Sequence, residues 1–246
     1  MNLIKPNIKD KRYCQTSFKP KFNLNNQLDI KHLMNCFQSL ASKQIEELGL
    51  GNSFEEENSC LYVVLRYKGY FLKQLNDKDE YTMITFPIIN SIVQLNRYAY
   101  ILDNQGDVVF YLISVWVLID KNTRKIKPCK KFNQELIQTI PEVNNLKPIT
   151  EEKLQNFPID DYTFNIYDHY QVKDKDIDGN GHMNNTIYFE LVKPKKRNIL
   201  SFEINYENEC FLNDDISLYF SENENSEIYK GMKGNLISFK VKYFFS

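Results

Sequence analysis

One helix-length amphipathic stripe, followed by several strand-like runs, and then the same order again in the second half: this succession most constrains what the chain can fold into. Leu33, Phe37, Leu40, Ala41, Ile45 and Leu48 recur mostly three or four residues apart, which places them on one face of a helix. Asp29 is positioned to cap that helix, and Gly49 and Gly51 to stop it. Tyr13 to Phe18, before it, reads as a strand. After it, Leu61–Tyr67, Tyr81–Phe86, Ile92–Leu102 and Asp107–Asp120 are rich in β-branched and aromatic residues, with the turn Asp103-Asn104-Gln105-Gly106 between the last two.

Residues 121 to 160 break the pattern. They carry Pro128, Pro141, Pro148 and Pro158 and no sustained period, and read as a connector with room for a short helix in Glu151–Asn156. The order then restarts. Thr163–Val172 reads as a strand, Lys173–Gly181 as a polar loop, Met183–Val192 as a helix stopped by Pro194, and Leu200–Tyr206, Ile216–Phe220 and Leu236–Phe245 as strands. A helix wrapped by an antiparallel sheet, made twice, is an α+β chain of the double (tandem) hotdog kind, each unit a long helix in its sheet. The expected division is 1–140 for the first unit, 141–160 for a linker and 161–246 for the second.

Charge narrows the partners. The 31 basic residues stand against 32 acidic ones, so no global field draws the chain to nucleic acid or an anionic membrane. The longest apolar run, Val108 to Ile119, falls short of the ~20 residues of a membrane helix. Cys14, Cys36, Cys60, Cys129 and Cys210 are widely spaced and form no Cys-x-x-Cys pair, against a disulfide framework or zinc site. Met1 to Arg12 lacks the apolar core of a signal peptide. The expectation is a soluble, cytoplasmic protein, monomer or homodimer, without nucleic-acid partner or membrane insertion.

Chemistry concentrates in Asp174–Asn185, where three carboxylates, three carboxamides and His182 precede the second predicted helix. Carboxylate, carboxamide and imidazole at alternate positions, Asp178, Asn180 and His182, can converge on one carbonyl, with N–H groups at the helix start receiving an oxyanion. A capped helix entry accounts for the Asn residues but does not require the histidine. Asp176-x-Asp178-Gly-Asn180-Gly also opens like a calcium loop, but the twelfth position of that loop is Ile187, where a bidentate Glu is needed.

In these residues the chain resembles the acyl-acyl carrier protein thioesterases of bacteria and plants. Their motif stands here as Asp178, Asn180, His182, Asn184, Asn185 and Tyr188, and their Tyr-x-x-Glu-Cys segment as Tyr206, Glu209 and Cys210. Leu33-Met34-Asn35 with Leu48–Gly51, Asn96-Arg97 with Asp103–Gly106, and Ser114-x-Trp116–Asp120 with Thr123-Arg124 resemble family segments in order. Phe211–Asp214 departs from the family, which often has Gly shortly after Glu-Cys.

The resemblance implies hydrolysis of carrier-bound acyl thioesters without a cofactor, by Asp178, Asn180, His182 and Glu209. Glu209 would be the base or nucleophile, and Asp178 would hold the histidine or the loop. Cys210 is the rival nucleophile, in a Cys–His–Asn set; neighbours on a strand face opposite ways, so only one of Glu209 and Cys210 is expected in the pocket. Two basic clusters, Lys121, Arg124, Lys125, Lys127, Lys130 and Lys131, then Lys193, Lys195, Lys196 and Arg197, are either solvated faces or a dock for acidic acyl carrier protein. Arg97 reads equally as a surface ion-pair residue and as a pocket residue. Trp116, His32 and His169 read as structural.

Overall fold

The computed structural model describes residues 12–89, 91–129 and 153–246. The first half runs β1 (Cys14–Phe18), α1 (Ile30–Glu47), α2 (Asn52–Glu57), β2 (Cys60–Phe71), β3 (Tyr81–Ile89), β4 (Leu95–Leu102), β5 (Val108–Asp120) and β6 (Ile126–Lys127). The second half runs β7 (Asn165–Gln171), a 3₁₀ turn at Asp174–Asp176, α3 (Tyr188–Leu191), β8 (Ile199–Tyr206), β9 (Asp215–Glu222), β10 (Ser226–Lys233) and β11 (Leu236–Phe245). Among the described residues the strands form one antiparallel sheet, ordered β1-β3-β4-β5-β2-β8-β11-β10-β9-β7, with β6 on β5.

The expected capping of α1 is present: the Asp29 carboxylate accepts the His32 N–H at 2.9 Å. The apolar stripe, Leu33, Met34, Phe37, Leu40 and Ala41, is buried, each large side chain contributing roughly 1.5–3 kcal/mol. Gln44 sits on the same face with no exposed surface. It donates to the Arg12 carbonyl at 2.7 Å and accepts from Arg97 at 2.7 Å, which is how a polar residue comes to lie there.

The halves share one sheet and one core. Arg66–Tyr70 of β2 pairs with Ser201–Asn205 of β8. Gly69 stands opposite Phe202, where a Cβ would lie 2.7 Å from that ring and 2.9 Å from Phe110, so a side chain there would displace the rings that knit the two halves. Phe37 of α1 packs edge-on against Tyr67 of β2, which packs edge-on against Tyr206 of β8. The buried apolar residues of both halves form one continuous cluster.

Three expectations change. The second helix, expected over Met183–Val192, is a single turn at Tyr188–Leu191. The preceding residues are held in turns instead: Asn184 Oδ1 accepts from the Thr186 N–H and hydroxyl, each at 2.9 Å, a local bond that competes with helix. The tandem hotdog therefore has one long helix, α1, and a vestigial one. Strand β10 was not expected, because Gly231 and its polar neighbours mask the alternation. Gly231 is there because a Cβ would lie 2.0 Å from the Phe239 ring of β11. Lys153–Asn156 is not helical; Glu151 and Glu152 lie outside the described residues, as does most of the predicted linker. Among the described residues no helix is long and apolar enough to cross a membrane.

Candidate active site

Beyond the stretch where β8 pairs with β2, a cavity of about 340 Å³ lies between the halves. Leu61 to Leu65 of β2 and Trp116 of β5 wall it from the first half. Asp178, Asn180, His182, Glu209 and Cys210 line it from the second. The four residues expected to act together, and the rival cysteine, are thus gathered at one place. Trp116 is a cavity wall as well as a packing residue; its indole N–H donates to Ser114 Oγ at 2.8 Å, which explains the Ser-x-Trp spacing on one face of β5.

The loop that carries three of them is closed on itself. An antiparallel bridge joins Ile177 to Met183, and the Asp178 N–H donates to the His182 carbonyl at 2.8 Å. Asp178 Oδ1 accepts the N–H of Asn180 at 2.8 Å and of His182 at 3.2 Å. Of the two roles expected for Asp178, the bonds serve the loop. Asp176 is buried, and its carboxylate takes the Tyr170 hydroxyl at 2.6 Å and the Lys173 N–H at 2.9 Å. No group of three or more His, Cys, Asp or Glu side chains able to hold a metal occurs among the described residues.

Met183 N–H donates to the Cys210 carbonyl at 2.8 Å and pins this loop to the segment after β8. His182 Nδ1 then lies 3.8 Å from Glu209 Oε1, just beyond direct hydrogen bonding. The His182 ring stands edge-on to Phe211, with centroids 5.1 Å apart. Lys233 anchors the Glu209 carbonyl at 3.0 Å and Asp214 at 2.8 Å.

Glu209 and Cys210 both face the pocket, where only one was expected to, because neither lies on a strand. β8 ends at Tyr206, and the Ser238 carbonyl accepts both the Glu207 and Asn208 N–H groups, at 2.9 and 3.1 Å. That doubled acceptance turns the chain out of the ladder, and both residues reach the cavity wall. They differ in burial: Cys210 has no exposed surface, whereas about a third of the Glu209 side chain is open. Beside the thiol lies the buried Tyr188 hydroxyl, pushed well above its ordinary value by burial and then by Cys210.

Most N–H groups at the expected helix start already have partners. Those of His182, Met183, Asn184, Thr186 and Ile187 all bond to acceptors within the protein. The Asn180 carboxamide is exposed and lines the cavity.

A residue that sequence reasoning assigned to a basic cluster belongs to the site. Arg124, from the turn after β5, crosses from the first half and ion-pairs with Glu209 Oε1. It adopts a left-handed backbone, φ 58°, uncommon for a residue with a side chain. The Thr-Arg match at Thr123-Arg124 was the signal available for it. Asn185 also matters: its carbonyl accepts the Tyr206 hydroxyl at 2.6 Å and its side chain accepts from Gln38 of α1, so the double Asn clamps the loop across the halves. Thr186 Oγ1 to Asn35 Oδ1, at 2.6 Å, is a second such tie. His32 and His169 stay structural, the first against Phe18 and the second beside Ser217.

The acyl-ACP thioesterase N-terminal domain model matches residues 11–139, and the C-terminal domain model of the same family matches residues 160–237. No curated protein sequence matches the chain. Among solved structures it is similar to an acyl-ACP thioesterase from Bacteroides thetaiotaomicron VPI-5482, with TM-score 0.75 and 21% identity over 96% of this chain and 98% of that one. It is also similar to a 12:0-ACP thioesterase from Umbellularia californica, with TM-score 0.76 and 19% identity over 94% and 96%. These likenesses support the fold, and the two domain matches, spanning most of the chain around one cavity, decide the family: the chain belongs to the acyl-ACP thioesterases and is a thioester hydrolase of tandem hotdog architecture.

Proposed function

We propose that this chain hydrolyses acyl thioesters of acyl carrier protein to the free fatty acid and the carrier thiol. Glu209 is the general base on water or the attacking carboxylate; His182 orients it, Asn180 polarises the carbonyl, and Asp178 holds the loop that presents both. The observation that carries this reading is the meeting of Glu209, His182 and Asn180 at one cavity wall, with His182 Nδ1 3.8 Å from Glu209. A thioester is already activated, so a base, a placed water and one carbonyl donor suffice, and no cofactor enters.

An acidic carrier protein is favoured by the rim. Lys121 and Lys125 flank Arg124 in the turn at the cavity, and Lys125 is exposed. Lys127 is instead tied to Asp120 and the Asn58 carbonyl, and Lys130 and Lys131 lie outside the described residues. An acyl-coenzyme A substrate is the competing reading, separated by comparing rates on the two thioesters of one chain length.

The test is thiol release from long-chain acyl carrier protein by wild type and Glu209→Ala, with folding checked by circular dichroism. Turnover by wild type that falls about 10²–10⁴-fold in the folded variant is the expected result. No turnover at any chain length, with an acyl ligand still binding tightly, would make the chain an acyl-binding sensor.

A further inference from the structure

A second cavity, of about 280 Å³, adjoins the first: Tyr62, Trp116, Asp178, Asn180 and Asn185 line both. An acyl chain whose carbonyl meets Asn180 and Glu209 can therefore extend into it. Its wall is unexpectedly polar for a hydrocarbon site. Ile45 and Leu95 share it with Gln38, Ser42, Glu55 and Arg97.

Arg97 is 3% exposed. Its Nη1 donates to two neutral groups, Gln44 Oε1 at 2.7 Å and Thr85 Oγ1 at 3.3 Å. Its Nη2 is buried without a hydrogen-bond partner, and no carboxylate among the described residues pairs with it. Burial alone pushes the guanidinium down, to about 10, so it remains a cation at neutral pH. A buried charge with an unused donor is costly unless an arriving group supplies the acceptor. An anionic acceptor is disfavoured, because the Glu46 and Glu55 carboxylates line the same cavity. A neutral oxygen meets Arg97 without repulsion, whereas a plain hydrocarbon would leave the N–H unmet and desolvate Gln38 and Ser42.

We propose that the second cavity selects acyl chains carrying a neutral oxygen function, a hydroxyl or keto group, for which Arg97 is the donor. This rests on the thioesterase reading in one respect, that the second cavity extends the site that holds the thioester.

The experiment measures binding rather than turnover, so that the two readings fail separately. Non-hydrolysable amide analogues of acyl-pantetheine, of one chain length, are titrated into wild type by calorimetry. One series carries a hydroxyl or keto group walked along the chain, one member is unsubstituted, and one ends in a carboxylate. At one position the neutral oxygen is expected to tighten binding about tenfold over the unsubstituted chain. Arg97→Met should erase that preference; should that variant not fold, Ser42→Phe, which obstructs the cavity, should erase it instead. Equal or tighter binding of the unsubstituted chain at every position, preference for the carboxylate, or binding of no analogue overturns the proposal. The expected preference in a protein that turns over no thioester would leave it standing and remove the hydrolase mechanism.

Discussion

Arg124 and Glu209 form an ion pair across the two halves, joining the turn after β5 to the segment after β8. The pair fixes where the carboxylate points and holds the same oxygen, Oε1, that lies 3.8 Å from His182 Nδ1. Both side chains are about a third exposed, so its value lies in orientation more than in stability.

Arg124→Met is therefore expected to lower kcat about 10- to 100-fold, with little change in melting temperature, because Glu209 loses its register. Arg124→Lys should restore part of kcat, since it keeps the charge but not the fork. A kcat equal to wild type in the folded Met variant would reduce the pair to a surface contact.

Cys210 is the nearest competitor as nucleophile. Its thiol has no exposed surface and lies beside Tyr188, the setting of a packed residue. Cys210→Ala should keep kcat within about threefold and cost about 1 kcal/mol of stability, read by denaturant melts. Loss of turnover there, with Glu209→Ala still active, would exchange the two assignments.

For Asp178 the bonds to the Asn180 and His182 N–H groups define the test. Asparagine keeps an acceptor oxygen, so Asp178→Asn should retain most of kcat, while Asp178→Ala loses about tenfold or more. Amide hydrogen exchange at Asn180 and His182 should rise only in the alanine variant. Equal loss in both variants would mean that the charge itself is required.

Lys31 of α1 bonds Glu190 of α3 and holds its carboxyl below the usual carboxylate range. A depressed folded pKa stabilises fully above the unfolded value, about 4.3, and the gain disappears as pH falls through the folded one. Glu190→Gln should thus lower stability at pH 7 by less than about 1 kcal/mol given its exposure, read as a slightly lower melting temperature. Melts in the acid range should show the gap constant above about pH 5 and closing below about pH 4. A gap that persists in acid would point to packing instead of charge.

The local chemistry of the chain is legible in the sequence. The spacing from Leu33 to Leu48 determines α1, the β-branched and aromatic runs determine most strands, and Asp178, Asn180, His182 and Glu209 stand out as reactive types in a family-like order. Those signals depend on periods of a few residues and on residue chemistry. What the tertiary structure decided depends on distant groups. Met183–Ile187 is turned, not helical, because Asn184 and the Cys210 and Asp176 carbonyls compete for its N–H groups. Glu209 and Cys210 both reach the cavity because Ser238, on β11, bends the chain out of its ladder. Arg124 reaches Glu209, and Arg97 is buried beneath α1, through contacts between residues far apart in the chain, which no local period records.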